Sequence, residues 1–235
     1  MKAERVSFAP RGEPALRLEG WLLDGGGAPL VVSHPHPLHG GTMDHPVVEA
    51  IWRGGGGAGF RALRYNFRGV GGSTGRLTQK SPLPLADLGG AIDFLGPAPA
   101  IALGYSYGAR VTLHAVAAGD RIARALLVGL PTRLPHNAAA MSNLILGRRL
   151  SGEQYRPTPD LDLLREARVP LLLIAGALDP LFEPDAVRAR GVEPLLLPGV
   201  NHFLSRRLGN SPPAPPDLAT LLHLLYGAAA KPPEM

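Results

Sequence analysis

Ile101-Ala102-Leu103-Gly104-Tyr105-Ser106-Tyr107-Gly108-Ala109-Arg110-Val111 runs from a short apolar stretch, through a G-x-S-x-G turn, into residues that can form a helix. A strand, a sharp turn and a helix in that order make a nucleophile elbow, which lifts a serine hydroxyl above the end of a sheet. The flanking glycines avoid clashes that side chains would cause at so tight a bend, while the serine accepts a strained backbone. Ser106 is therefore the candidate nucleophile. The competing reading is a Gly-Ser turn in a chain that holds 30 glycines, so support has to come from the segments on either side.

Upstream, residues 6–23 alternate in two short segments around Arg11-Gly12-Glu13-Pro14, which predicts an antiparallel hairpin at a sheet edge. Residues 29–33 form an unbroken apolar run that ends in His34-Pro35-His36-Pro37-Leu38-His39-Gly40-Gly41. Residues 46–52 predict a short helix stopped by Gly54-Gly55-Gly56-Gly57, and 60–67 a strand leading into Arg68-Gly69-Val70-Gly71. Ser81-Pro82 opens a helix with Leu85, Leu88, Ile92 and Leu95 at helical spacing. Downstream, 125–130 and 170–175 are apolar strands, 161–167 and 184–190 are helices, and 194–197 is a last strand. Asp217 is placed to cap a final helix over 218–226. Residues 131–160 are irregular and read as a small lid excursion, so 1–230 is expected to form one domain with 231–235 as a tail.

Apolar strands alternating with helices imply a mainly parallel sheet with helices on both faces, here with an antiparallel N-terminal edge and little or no cap. Ligands bind such sheets outside the carboxyl ends of the strands. The loop 34–41, Ser106, Asp179 and His202 each follow an apolar strand. Four loops converge on one edge. An alcohol needs a base to accept its proton, and the base needs a partner that fixes its tautomer. His202 and Asp179 suit those roles, in the chain order Ser, Asp, His. For the oxyanion, one donor is the backbone N–H of Tyr107. Because Pro35 and Pro37 have no N–H, His36 is the second, through its backbone. His34, Gly40 and Gly41 are read as supporting that loop, and Arg68 as holding a tight turn through a carboxylate or carbonyl. The rival for the loop is a metal site drawing on His34, His36, His39, Asp44 and His45; proline between two histidines makes paired ligation awkward.

Composition narrows the class. The formal charge of +5 comes from 24 basic and 19 acidic residues with no basic stripe, which argues against nucleic acid as a partner. There is no cysteine, hence no disulfide and no thiolate chemistry. No apolar stretch approaches membrane-spanning length, and the expected location is cytoplasmic.

The segments His34-Pro35-His36-Pro37-x-x-Gly40-Gly41-Thr42-Met43, Arg64-Tyr65-Asn66-Phe67-Arg68-Gly69-Val70-Gly71-x-Ser73-x-Gly75 and Gly104-Tyr105-Ser106-Tyr107-Gly108 together resemble a group of compact bacterial α/β-hydrolases. That group is distantly similar to dienelactone hydrolases and to serine aminopeptidase-like hydrolases. The resemblance implies an α/β-hydrolase fold, a serine hydrolase with Ser106, Asp179 and His202 as triad, and no metal or other cofactor. The expected substrate is a small acyl compound, a carboxylic ester first, with a thioester or small peptide as alternatives. From another class, the alternative is a binding protein that keeps the fold without activity. His39, where an aromatic residue is expected, and Asn201, where Asp is common, depart from the pattern. The sequence does not indicate an oligomeric state.

Overall fold

The computed structural model describes residues 2–78, 82–137, 139–141, 151 and 154–204. In chain order the strands are β1 (Ala3–Phe8), β2 (Leu18–Asp24), β3 (Pro29–Ser33), β4 (Arg61–Tyr65), β5 (Ala100–Tyr105), β6 (Ile122–Val128), β7 (Arg133–Pro135), β8 (Tyr155–Pro157), β9 (Leu171–Gly176) and β10 (Leu195–Leu197). The helices are α1 (Pro46–Gly57), α2 (Leu85–Phe94), α3 (Tyr107–Ala117), α4 (Leu163–Glu166) and α5 (Pro184–Arg188). Among the described residues one eight-stranded sheet has the order β1-β2-β4-β3-β5-β6-β9-β10. Strand β2 is antiparallel to both β1 and β4, and the remaining pairs are parallel. The predicted N-terminal hairpin and parallel core are both present.

Side chains alternate across a strand, so each central strand feeds two cores. Val31, Ala102, Ala125 and Leu127 face one layer together with Leu88 and Ile92 of α2 and Val111 and Leu113 of α3. Leu30, Val32, Leu103, Leu126 and Val128 face the other, against Val47, Val48, Ile51 and Trp52 of α1. Burial on both faces is why these strands read as continuous apolar runs. The elbow, between β5 and α3, sits mid-sheet.

Several boundaries differ from the expectation. The glycines at 54–57 do not stop α1; they form its last turns. A Cβ on Gly56 would press into the Leu23 side chain of β2, so tertiary packing outweighs the poor helix propensity of glycine there. Helix α2 begins at Leu85 with Pro84 as its cap, later than Ser81-Pro82, since a residue before proline is pushed out of helical conformation. The helix expected over 161–167 is a 3-10 turn, Pro159–Asp162, followed by the single turn of α4. The final helix over 218–226, the tail 231–235 and much of 142–153 lie outside the described residues. At the base of the excursion, β7 and β8 pair antiparallel, Leu134 opposite Arg156. Among the described residues no helix is long and apolar enough to cross a membrane.

Candidate active site

Ser106 has φ 55° and ψ −112°, one of the two positive φ values among described non-glycine residues. That strain is held from both sides. The Ser106 N–H donates to the Val128 carbonyl of β6 at 2.8 Å. Behind the turn, a Cβ on Gly108 would overlap the Ser33 carbonyl at the end of β3, so only glycine lets the elbow helix lie against that strand. Tyr107 is the first residue of α3, where its N–H has no acceptor within the helix.

The late loops bring the other two residues to the serine. His202 Nε2 lies 3.0 Å from Ser106 Oγ, and His202 Nδ1 lies 2.7 Å from Asp179 Oδ2. The second carboxylate oxygen accepts the Leu181 N–H at 2.8 Å. Asp179 is buried, with its side chain 1% exposed against 11% for His202. A carboxylate on Nδ1 assigns the ring proton there, which leaves the Nε2 lone pair for the serine hydroxyl. The tautomer a general base requires follows from one buried contact.

Tyr105 was not singled out by the sequence. Its hydroxyl donates to the His202 carbonyl at 2.9 Å, and its ring stacks on the imidazole with centroids 6.1 Å apart. The side chain is 1% exposed, and burial pushes its hydroxyl well above the ordinary tyrosine range. It therefore stays a neutral donor.

The loop after β3 closes on the carbonyl of His36, which accepts the N–H groups of His39 and Gly41 at 3.0 Å each. Gly40 takes φ 81°, and Gly41 lies against the Pro35 carbonyl too closely for a Cβ. The His36 ring packs against the Tyr107 ring at 4.6 Å, so the two oxyanion candidates are neighbours. Burial, followed by the charges of His39 and Arg110, pushes the His36 imidazole down to about 4. Its Nδ1 accepts the Leu38 N–H. His34 is wholly buried; its Nε2 accepts the Phe67 N–H at 3.1 Å and its Nδ1 faces the Pro35 carbonyl at 2.7 Å. His34 thus fastens this loop to the one after β4. Arg68, in that second loop, donates through Nε and Nη2 to buried Asp87 and through both Nη nitrogens to Glu13.

Two further members of the rival metal set, His45 and Asp44, are engaged elsewhere. His45 caps α1 by accepting the Val47 N–H, and Asp44 pairs with Arg64 at 3.1 Å. Among the described residues no three His, Asp or Glu side chains gather as a ligand set.

Burial also makes His34 a pH-dependent element. Burial pushes it from 6.5 down to about 4. A group whose folded value is depressed stabilises the fold fully above its unfolded value, and that stability is lost as pH falls through the folded value. Between about pH 7.5 and 5, the loss attributable to His34 is about 2 kcal/mol. Urea unfolding at the two pH values should show that difference shrinking by this amount in His34→Gln; an unchanged difference contradicts a neutral buried His34.

No family model matches the chain. An uncharacterised protein of Rickettsia prowazekii (strain Madrid E) is 34% identical over 115 residues, which cover 46% of this chain and 48% of that protein. The chain thus matches about half the length of its curated relative. Solved structures resemble it along nearly its whole length. A protein of unknown function from Agrobacterium tumefaciens has a TM-score of 0.69 at 21% identity, covering 96% of this chain and 94% of that one. An α/β serine hydrolase homologue from Coxiella burnetii has a TM-score of 0.68 at 23% identity, covering 97% and 98%. A lidless α/β serine hydrolase from Xanthomonas campestris has a TM-score of 0.66 at 20% identity, covering 100% and 97%. At these identities the likeness is one of fold.

Proposed function

From an α/β-hydrolase fold whose strand-end loops bring Ser106, His202 and Asp179 together, we propose that the protein is a serine hydrolase acting on a small carboxylic ester. The hydrogen-bonded chain from Ser106 Oγ through His202 to Asp179, at 3.0 and 2.7 Å, carries this reading. His202 takes the serine proton as Oγ attacks the acyl carbon, and the tetrahedral oxyanion is received by the N–H groups of Tyr107 and His36. His202 then gives its proton to the leaving alcohol, which departs and leaves the acyl group on Ser106. Water repeats the sequence, with His202 again as base, releasing the acid and restoring the serine. Asp179 holds the imidazole and balances its positive charge throughout. Phe203, 54% exposed, stands edge-on to His202 at 5.9 Å and offers an apolar wall to the acyl or alcohol part. In this proposal 1–230 is kept as one domain with 131–160 as its small excursion. The same machinery accepts thioesters and small peptides, and fold and triad do not choose among them.

The test is intact-mass measurement after exposure to a fluorophosphonate, on the wild type and Ser106→Ala. A single adduct that the substitution removes is expected. Folded wild type that takes no adduct would count against an activated Ser106 and favour a binding protein of the same fold. Tyr105→Phe should lower kcat about threefold to tenfold with little change in KM, because one hydrogen bond to the His202 main chain is lost. An unaltered kcat removes Tyr105 from the site.

A further inference from the structure

Arg110 lies on α3 four residues after Ser106, on the same helix face. Side chains of a helix lean toward its N-terminus, which carries this one toward the serine. That position in the first turn after the elbow sets the guanidinium at the rim of the site, and two further features agree with it. Its charge is among the causes that hold His36 down, after burial and His39, and it acts on Tyr107 second to burial. Both residues are the oxyanion candidates. From the other side, Arg110 Nε donates to Asp160, on the return leg of the excursion. Asp160 is 7% exposed and also faces His114 Nε2 at 3.1 Å. Burial works against its charge, but the close contacts of His114 and Arg110 prevail and hold it at about 2. The tether is therefore ionised at neutral pH.

A guanidinium is a rigid planar fork that binds a carboxylate through paired N–H groups. Asp160 engages it through Nε, and among the described residues no acceptor is paired with its two Nη nitrogens. The side chain is 21% exposed, and neither Nη nitrogen is among the buried unpaired atoms of the described residues. Joining α3 to the excursion requires only the Nε contact. It leaves an oriented, positively charged edge beside the oxyanion loop.

Resting on the serine hydrolase reading above, we propose that Arg110 is a specificity residue that receives a carboxylate of the substrate. The preferred substrate is then an acyl compound with a second, anionic group near the scissile carbonyl. The carboxylate is bound and not consumed, so the hydrolysis is otherwise as described.

The experiment compares matched esters on the full chain. One pair carries the charge on the acyl side, 4-nitrophenyl hydrogen adipate against its methyl ester. The other carries it on the leaving group, 4-butanoyloxybenzoate against its methyl ester, and release of the phenol is followed in both. The wild type is expected to favour the charged member of at least one pair in kcat/KM by about tenfold to a hundredfold, and added salt should reduce that ratio. Arg110→Gln is expected to abolish most of the ratio. Arg110→Lys keeps the charge beside Asp160 without the fork, so it should lose severalfold of the ratio and decides the matter if Arg110→Gln does not fold. No preference in either pair, or a preference that survives both substitutions, overturns the inference. If Ser106 takes no fluorophosphonate and no ester turns over, the hydrolase reading fails and takes this one with it. A labelled, active protein indifferent to charge overturns this inference alone.

Discussion

Ser106→Ala should lower kcat on an activated aryl ester by about a millionfold, and His202→Ala by a similar factor. In the proposed mechanism serine and histidine act as one unit: without the base, Oγ remains a neutral alcohol, and without Oγ the base has nothing to activate. The double substitution should therefore cost little more than either single one. Asp179→Asn is expected to cost about ten-thousandfold, because an amide on Nδ1 stabilises the wrong tautomer while leaving the geometry in place. What remains in each case comes from the oxyanion donors and substrate binding. Single-turnover kinetics on purified variants measure this, and a Ser106→Ala protein retaining more than about a hundredth of wild-type activity places the nucleophile elsewhere.

Asp87→Ala should destabilise the fold by about 3 to 5 kcal/mol, the range for a buried ion pair that loses one partner. Asp87 is wholly buried, and it accepts the Arg68 backbone N–H as well as Nε and Nη2 of the side chain, at 2.6 to 2.8 Å. The hydrogen bond to Asp87 is the main reason the Arg68 guanidinium is raised above its ordinary range. With Asp87 removed, Arg68 keeps Glu13, whose side chain is 39% exposed and screened by solvent. Glu13→Ala should accordingly cost under about 1 kcal/mol. Urea titrations of the two variants separate these cases, and near-equal losses would show that Asp87 is not the anchor. The damage should reach the site as well, since Phe67, next to Arg68, gives its N–H to His34.

The strands around the site were legible because burial on both faces writes itself into composition. The run 29–33 became β3 without adjustment, and the elbow strand differed only at its ends. The three residues of the proposed triad could be singled out because each follows a strand, β5, β9 or β10, and chain order carries that information directly. Arg68 was legible as the holder of a turn, though nothing near it named Asp87. The length of α1 depended on Gly56 meeting Leu23 across layers, which local propensity does not record. Tyr105 occupies a position that G-x-S-x-G leaves unspecified, and its partner lies 97 residues away. The pairing of Arg110 with Asp160 was hidden for the same reason, at a separation of 50 residues.

The close approach of Gly108 to Ser33 has a counterpart on the far side of the site. There Gly176, at the end of β9, meets the Val200 carbonyl of the loop that carries His202, again with no room for a Cβ. The elbow and the loop after β3 are thus clamped as one block, and the loops after β9 and β10 as another. The chain between β6 and β9, which includes the β7–β8 pair, begins and ends at the seam between the blocks. Neither glycine contact involves that segment, so changes of chain length there should leave both clamps in place. A new specificity is best sought by grafting there with Asp160 kept, so that Arg110 retains its tether.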